Sequence, residues 1–334
     1  TDLFRTADRV IVNLECALTT ADTPIKKFGP NLKAAPECAK VLKEIGVTDC
    51  SLSNNHIFDF GIKGLQDTIK HLDENGILWT GVGENDTDSR RPHIIKLGNK
   101  TVTIIAVCEH EYSYALPDRI GTNPYDPYYT MDDIRAAKDF SDYVIVLYHG
   151  GKEHCRYPSP RLHKLCRAMV RNGADVVLCQ HSHCIGCYEN YQNGHILYGQ
   201  GNFHFVKYMD NEYWKNGLIV ELSFDEENNA PLKINFIPVI TTQTGITLAK
   251  GSEKDAILKA FEQRNEELKN GKWIEGWQKF CESVKEYYLS VIANAYTENS
   301  TEIQNQHFTH YLDCEAHTDV WRELNKTWNH TNEK

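Results

Sequence analysis

The chain has 334 residues, 41% hydrophobic and 25% charged, with a formal net charge of −10. That length allows one large or two modest domains with a sizeable core, and an acidic balance without a long basic block argues against nucleic acid as a partner. No apolar run approaches the ~20 residues of a membrane helix, so no membrane span is expected, and the first residues do not read as a secretory signal.

In chain order the pattern alternates between strand and helix. Val10–Leu14 reads as a strand, and Pro36–Glu44 as a helix ended by Gly46. Val47–Ser53 is the next strand. Gly64–Glu74 follows as a helix with Leu65, Ile69 and Leu72 on one face and Gly76 beyond its end. Ile94–Leu97 and Val102–Val107 flank Gly98-Asn99-Lys100 as a hairpin. Thr130-Met131-Asp132-Asp133 has the form of a capping box opening a helix. Tyr143–Leu147 is a buried strand. Ser159 and Pro160 supply an N-cap and a proline at the first helical position for a helix reaching Asn172, with Gly173 after it. Val176–Cys179, Ile196–Tyr198, Leu218–Phe224 and Lys233–Val239 are later strands. The expected fold class is α/β, mixed sheets flanked by helices.

The character of the chain changes near Gly251. Trp273, Trp277, Phe280, Cys281, Val284, Tyr287, Tyr288, Val291 and Ile292 recur at helical spacing, a stripe for packing rather than for a cofactor. His307, His310, Asp313, Glu315 and His317 form a looser polar group, read as solvated surface, with a weak metal site as the alternative. The division expected is residues 1–245 as one α/β domain and 251–334 as a helical C-terminal region.

Eleven cysteines are scattered through the chain. A chain this long does not need disulfides for a core, so reduced thiols and a cytoplasmic setting are the plainer reading. Cys184-Ile185-Gly186-Cys187 has C-x-x-C spacing, but no second close pair accompanies it, and chance spacing is favoured over redox function.

Chemistry concentrates where strands end. Asn13-Leu14-Glu15, Ser53-Asn54-Asn55-His56, His149-Gly150-Gly151 and Gln180-His181-Ser182-His183 each follow an apolar run. In an open α/β sheet the carboxyl ends of strands form the ligand crevice. Imidazole, carboxamide and carboxylate together suit a divalent transition ion, Mn, Fe or Zn. The candidate ligands are Glu15, Asn55, His149, His181 and His183. A lone histidine after a strand is more often a satisfied polar residue. A His-x-His in an extended loop, however, can aim both rings to one side. Glu153 is a candidate for hydrogen bonds behind the ligands, and Gly201-Asn202-Phe203 reads as a structural turn.

These motifs, in this order and with Asp59, Gly61, Pro158 and Gly201-Asn202-Phe203, resemble the CapA family of bacterial poly-gamma-glutamate capsule biosynthesis proteins over roughly residues 1–240. That family resembles the calcineurin-like metallophosphoesterases in fold. The resemblance implies one or two divalent metal ions and an anionic polymer or phosphoester substrate. It also implies capsule-synthesis partners and anchoring at the cell surface, against the cytoplasmic reading of the cysteines. In the resembling phosphoesterases the histidine beside the ligand asparagine protonates the leaving group, which makes His56 the catalytic candidate. Asp59, three residues on rather than adjacent, is the candidate to orient it. The wider superfamily opens with an aspartate-bearing motif that residues 1–12 do not match. Either an upstream segment supplies it, in which case the sheet lacks a strand beside Val10–Leu14, or one metal ligand is absent. The function expected is a metal-dependent hydrolase of capsule polymer synthesis. The alternative is a non-catalytic polymer-binding or assembly factor that keeps the fold.

Overall fold

A computed structural model describes residues 2–208, 210–224 and 232–329. The last residues of the expected helical region, 330–334, lie outside them. The chain forms two compact units that are interleaved along the sequence rather than successive. The first is Thr1–Leu97, Thr101–His149 and Leu289–Glu315; the second is Gly98–Lys100, Gly150–Tyr288 and Ala316–Lys334.

In the first unit, Ile11–Asn13, Asp49–Ser51 and Leu78–Thr80 make a parallel sheet with Asp49–Ser51 in the middle. Ile11–Asn13 is an edge strand of it. The register pairs Asn13 with Ser51 and Ser51 with Thr80, so the strands end level. The helices Cys38–Ile45 and Gly61–Glu74 supply the crossovers. Leu65, Leu72, Val47, Cys50, Leu52 and Ile57 close the core around them. Gly61–Glu74 begins three residues before the expected Gly64, because Gly61 takes a positive φ of 61° that enters the helix from the His56 loop. A second parallel pair joins Lys100–Cys108 to Tyr143–His149, with Cys108 opposite His149 and the helix Tyr129–Lys138 between them in sequence.

The capping box expected at Thr130 does not form. Thr130 lies inside the helix, whose N-cap is Tyr128 without a side-chain cap. Asp126 does the work instead: its Oδ1 accepts from the backbone N–H of Tyr128 at 2.7 Å and of Tyr129 at 2.9 Å. The helix start is set by a carboxylate upstream of the box. Ser159, by contrast, caps Pro160–Arg171 as expected, accepting from Leu162 N–H at 3.0 Å.

In the second unit, Val176–Gln180 runs parallel to Gly194–Leu197, which pairs antiparallel with Tyr188–Tyr191. A three-stranded antiparallel meander, Asn216–Ser223, Lys233–Thr242 and Gly245–Leu248, follows. The chain then turns helical: Gly251–Lys269, Trp273–Asn294, Glu302–Asp313 and Glu315–Asn329. The aromatic stripe is narrower than its spacing suggests. Trp273, Trp277, Cys281, Tyr288 and Val291 are buried, whereas Tyr287 and Ile292 are exposed. Among the described residues no helix is long and apolar enough to cross a membrane.

The polar group near the end is only partly solvated surface: Asp313 is exposed, His307, His310 and Glu315 are half-buried, and His317 is buried. His307 stacks on Phe28 at 3.5 Å between ring centroids. His310 stacks on Tyr112 at 4.8 Å, and Tyr114 donates to Asp313 at 2.9 Å. His317 is buried, with Nδ1 2.6 Å from the Tyr288 hydroxyl. A helix that carries its own hydrophobic stripe can also bury polar residues when each finds a partner, and single-sequence spacing does not reveal those partners. Cys184 and Cys187 are both buried, which pushes their thiols up to about 11 and about 12. That is opposite to the shift a redox pair needs.

Candidate metal centre and acid–base pair

The first unit brings three of the expected ligands together. Asn13 is the last residue of its strand, and Leu14 N–H still donates to Ser51 O at 3.0 Å, so Glu15 emerges at the sheet's carboxyl end. The loop after Asp49–Ser51 is pinned by Asn54. Its Oδ1 accepts from His56 N–H at 3.1 Å and Ile57 N–H at 2.9 Å, and its Nδ2 donates to Leu14 O at 2.9 Å. Gly81 lets the loop sit low: a Cβ there would stand 2.7 Å from the Ser53 Cβ and 2.9 Å from the Ala106 Cβ. Asn54 was not singled out in the sequence, because two adjacent asparagines read alike, yet it is the scaffold and Asn55 the candidate ligand.

His149 Nε2 lies 2.9 Å from Asn55 Oδ1 and 3.6 Å from Glu15 Oε1. Two ligand atoms each ~2.0–2.2 Å from one ion are themselves ~3–3.5 Å apart at tetrahedral or octahedral angles. The observed spacings fit that requirement, and carboxylate, carboxamide and neutral imidazole form a donor set for a divalent cation. Asn13 Nδ2 donates to Glu15 Oε2 at 3.0 Å, bracing that carboxylate, and lies 3.4 Å from His149 Nδ1.

His56 and Asp59 occupy the same loop. His56 Nδ1 is 2.7 Å from Asp59 Oδ2, which places the ring proton on Nδ1 when the imidazole is neutral. Asp59 also accepts from Leu32 N–H at 2.6 Å. Lys27, absent from the sequence-based candidates, completes the group. Its ammonium ion-pairs with Asp59 Oδ1 and stands 3.2 Å from His56 Nδ1. Burial pushes the Lys27 ammonium below its ordinary value, and Asp59 opposes that. Lys26 and Lys27 look identical in sequence; nothing local says which one turns inward.

In the second unit, His181 and His183 follow Val176–Gln180. The loop is not extended as expected: both residues have left-handed backbones, φ 86° and 55°, with ring centroids 6.0 Å apart. Non-glycine residues held there store strain, which functional sites often carry. His183 Nδ1 meets Asn202 Oδ1 at 2.9 Å, and Asn202 Nδ2 donates to Trp214 O at 2.9 Å. That second bond fixes the amide, so His183 carries its proton on Nδ1 and its lone pair on Nε2, the tautomer a metal ligand needs. The Gly201-Asn202-Phe203 turn is therefore more than a bend, and it orients a candidate ligand. Gly217 is required beside it, since a Cβ there would lie 2.0 Å from the Asn202 carbonyl oxygen. Glu153 Oε1 approaches His183 Nε2 only to 3.9 Å, beyond hydrogen-bond reach.

A family model described as "Bacterial capsule synthesis protein PGA_cap" matches residues 1–207. The "Capsule biosynthesis protein CapA" of Bacillus anthracis is 34% identical over 52% of this chain and 44% of its own length. The "PGA biosynthesis protein CapA" of Bacillus subtilis is 30% identical over 61% of this chain and 54% of its own length. The chain thus spans about half the length of the curated relatives it matches. A crystal structure described as a novel phosphatase from Mycoplasma pneumoniae superposes with TM-score 0.40 and 16% identity, covering 63% of this chain and 66% of that one. A likeness of that size carries no argument.

Proposed function

The chain belongs to the bacterial capsule synthesis family PGA_cap, and from that membership we propose that it acts in capsule polymer biosynthesis of the poly-gamma-glutamate type, as a metal-dependent hydrolase with a metallophosphoesterase-type site. The observation that carries the reading is the convergence of Glu15 and Asn55 on His149 Nε2, with His56 next to Asn55 in the chain and bonded to Asp59. Glu15, Asn55 and His149 supply ligands for Mn, Fe or Zn. His181 and His183 supply ligands as well.

A divalent ion held by Glu15, Asn55 and His149 contributes Lewis acidity and charge neutralisation at the scissile group. The chain's residues do the rest. Asp59 holds His56 by Nδ1, which directs Nε2 outward as the proton donor. With the ring protonated at both nitrogens, the Nε2 proton passes to the leaving oxygen as a water molecule bonds to the ester's central atom, loses a proton to solvent, and the ester bond breaks. The neutral ring keeps its Nδ1 proton, donated to Asp59 as a hydrogen bond, and regains the other from solvent. Lys27 balances the carboxylate charge. The substrate class is an anionic polymer or phosphoester.

Metal analysis with a phosphoester panel tests the reading. Reconstituted protein should hold a divalent ion and turn over at least one ester. Glu15→Ala/His149→Ala and His181→Ala/His183→Ala, analysed separately as folded proteins, should each lose metal. Unchanged metal content in both variants would refute the ligand assignment. Polymer binding by a protein that takes up no metal would favour the binding or assembly factor instead.

A further inference from the structure

We infer that Glu111 is a positioning residue for the metal centre: it turns the Asn55 carboxamide so that oxygen rather than nitrogen faces His149 and the ion, and the C-terminal segment 313–315 holds it there. The inference rests on the metal reading above.

A carboxamide has nearly the same shape after a half-turn about its last torsion, but only one orientation can ligate. The amide nitrogen has no lone pair to give a cation and points two protons at it. Asn54 fixes the loop backbone around Asn55 without fixing that torsion. The selection comes from outside the loop. Asn55 Nδ2 donates to Glu111 Oε2 at 2.8 Å, and both side chains are buried. If the amide turned over, its carbonyl oxygen would face a buried carboxylate. One orientation gains a charge-assisted hydrogen bond, and the other is repelled.

Glu111 is in turn held by its second oxygen. Cys314 Sγ donates to Oε1 at 3.2 Å. The residues on either side of Cys314 grip the same stretch of chain. Glu315 Oε1 is 2.6 Å from His110 Nδ1, and its Oε2 accepts from the His110 N–H at 2.9 Å. Asp313 Oδ2 accepts from the Tyr114 hydroxyl at 2.9 Å. Three consecutive side chains thus clamp residues 110, 111 and 114. A region without any recognisable motif reaches a candidate metal ligand through two hydrogen bonds.

A double-mutant cycle on the whole chain tests this, with Mn²⁺ affinity read by titration calorimetry. In Glu111→Gln the new amide can serve either orientation of Asn55, so selection is lost and affinity should fall by about 10–100-fold, the usual effect of a residue behind the ligands. In Asn55→Asp an oxygen faces the ion in either orientation, and the other is set against the Glu111 carboxylate, a repulsion that Glu111→Gln removes. Adding Glu111→Gln to that background should therefore cost no affinity. An equal loss in both backgrounds, or no loss in either, overturns the positioning role. Wild-type protein that takes up no Mn²⁺, Fe²⁺ or Zn²⁺ sinks the metal reading alone, so a metal-free measurement judges the hydrogen bond separately. With ¹⁵N-asparagine labelling, the Asn55 side-chain amide should give resolved, slowly exchanging protons in the wild type and lose that protection in Glu111→Gln. An amide unchanged by the substitution overturns the inference.

Discussion

The Lys27–Asp59 pair offers the sharpest energetic test, because both charges are removed from water: their side chains are 2% and 0% exposed. Breaking a buried pair by deleting one partner typically costs about 3–5 kcal/mol, since the other charge is stranded. The structure says which deletion should be worse. After Lys27→Met, Asp59 keeps Leu32 N–H at 2.6 Å and His56 Nδ1 at 2.7 Å, so the loss belongs near the lower end, about 3 kcal/mol. After Asp59→Asn, the ammonium loses its ion-pair partner and keeps only the more distant charges of Glu111 and Glu15, so the loss belongs near the upper end, about 5 kcal/mol. The double variant Lys27→Met/Asp59→Asn has no stranded charge, and its amide still accepts from Leu32. It should fall short of the additive loss by at least about 2 kcal/mol, well outside the ~0.5 kcal/mol scatter of independent sites. Urea unfolding at pH 7, followed by circular dichroism, measures all three. Additive losses, or single losses under about 1 kcal/mol as for a solvated pair, would refute the reasoning.

His56→Ala should leave metal content intact and slow ester turnover by about 10²–10⁴-fold, more for poor leaving groups than good ones; equal slowing across a leaving-group series would remove the acid role. The His110–Glu315 pair makes stability depend on pH. Burial pulls His110 down, but the hydrogen bond to Glu315 and its charge outweigh that and raise it above 6.5. Glu315 is held below 4.5: burial raises it, and the bond to His110 and that ring's charge more than reverse the effect. A raised histidine contributes fully below its unfolded value and loses the contribution as pH rises through its folded value. A lowered carboxylate contributes above its unfolded value and loses the contribution as pH falls through its folded value. Both are present between 4.5 and 6.5. The stability gap between wild type and Glu315→Gln should peak in that window and shrink on either side; a gap that is flat from pH 4 to 9 would contradict it.

What the sequence made legible follows local physics. Apolar runs located the strands, so the residues after them, Glu15, Asn55, His149 and His181, were placed at strand ends without any coordinates. Ser159 and Pro160 declared a helix start because capping is decided within one turn. Contacts between distant stretches were not legible. Lys27 meets Asp59 across 32 positions and Cys314 meets Glu111 across 203. No periodicity connects residues that far apart. The left-handed backbones of His181 and His183 were hidden as well, since only a few per cent of non-glycine residues take that conformation and no local signal marks which ones do. Thr130 shows the opposite failure: a motif matched locally while Asp126, four residues upstream, took over the start of the helix.

The interleaving of the two units sets an order of events during synthesis. Residues 289–315 belong to the first unit, yet they follow residues 150–288 of the second. A ribosome adding roughly 5–20 residues per second would release His110 and Glu111 some ten to forty seconds before Glu315 and Cys314 emerge to hold them. Until then the nascent first unit displays an unfinished rim around Asn55 while the second unit is already being made. A protease or chaperone meeting the chain in that interval encounters a different surface from the finished protein. Removing the chain beyond residue 245 would leave the amino-terminal chemistry permanently at that stage.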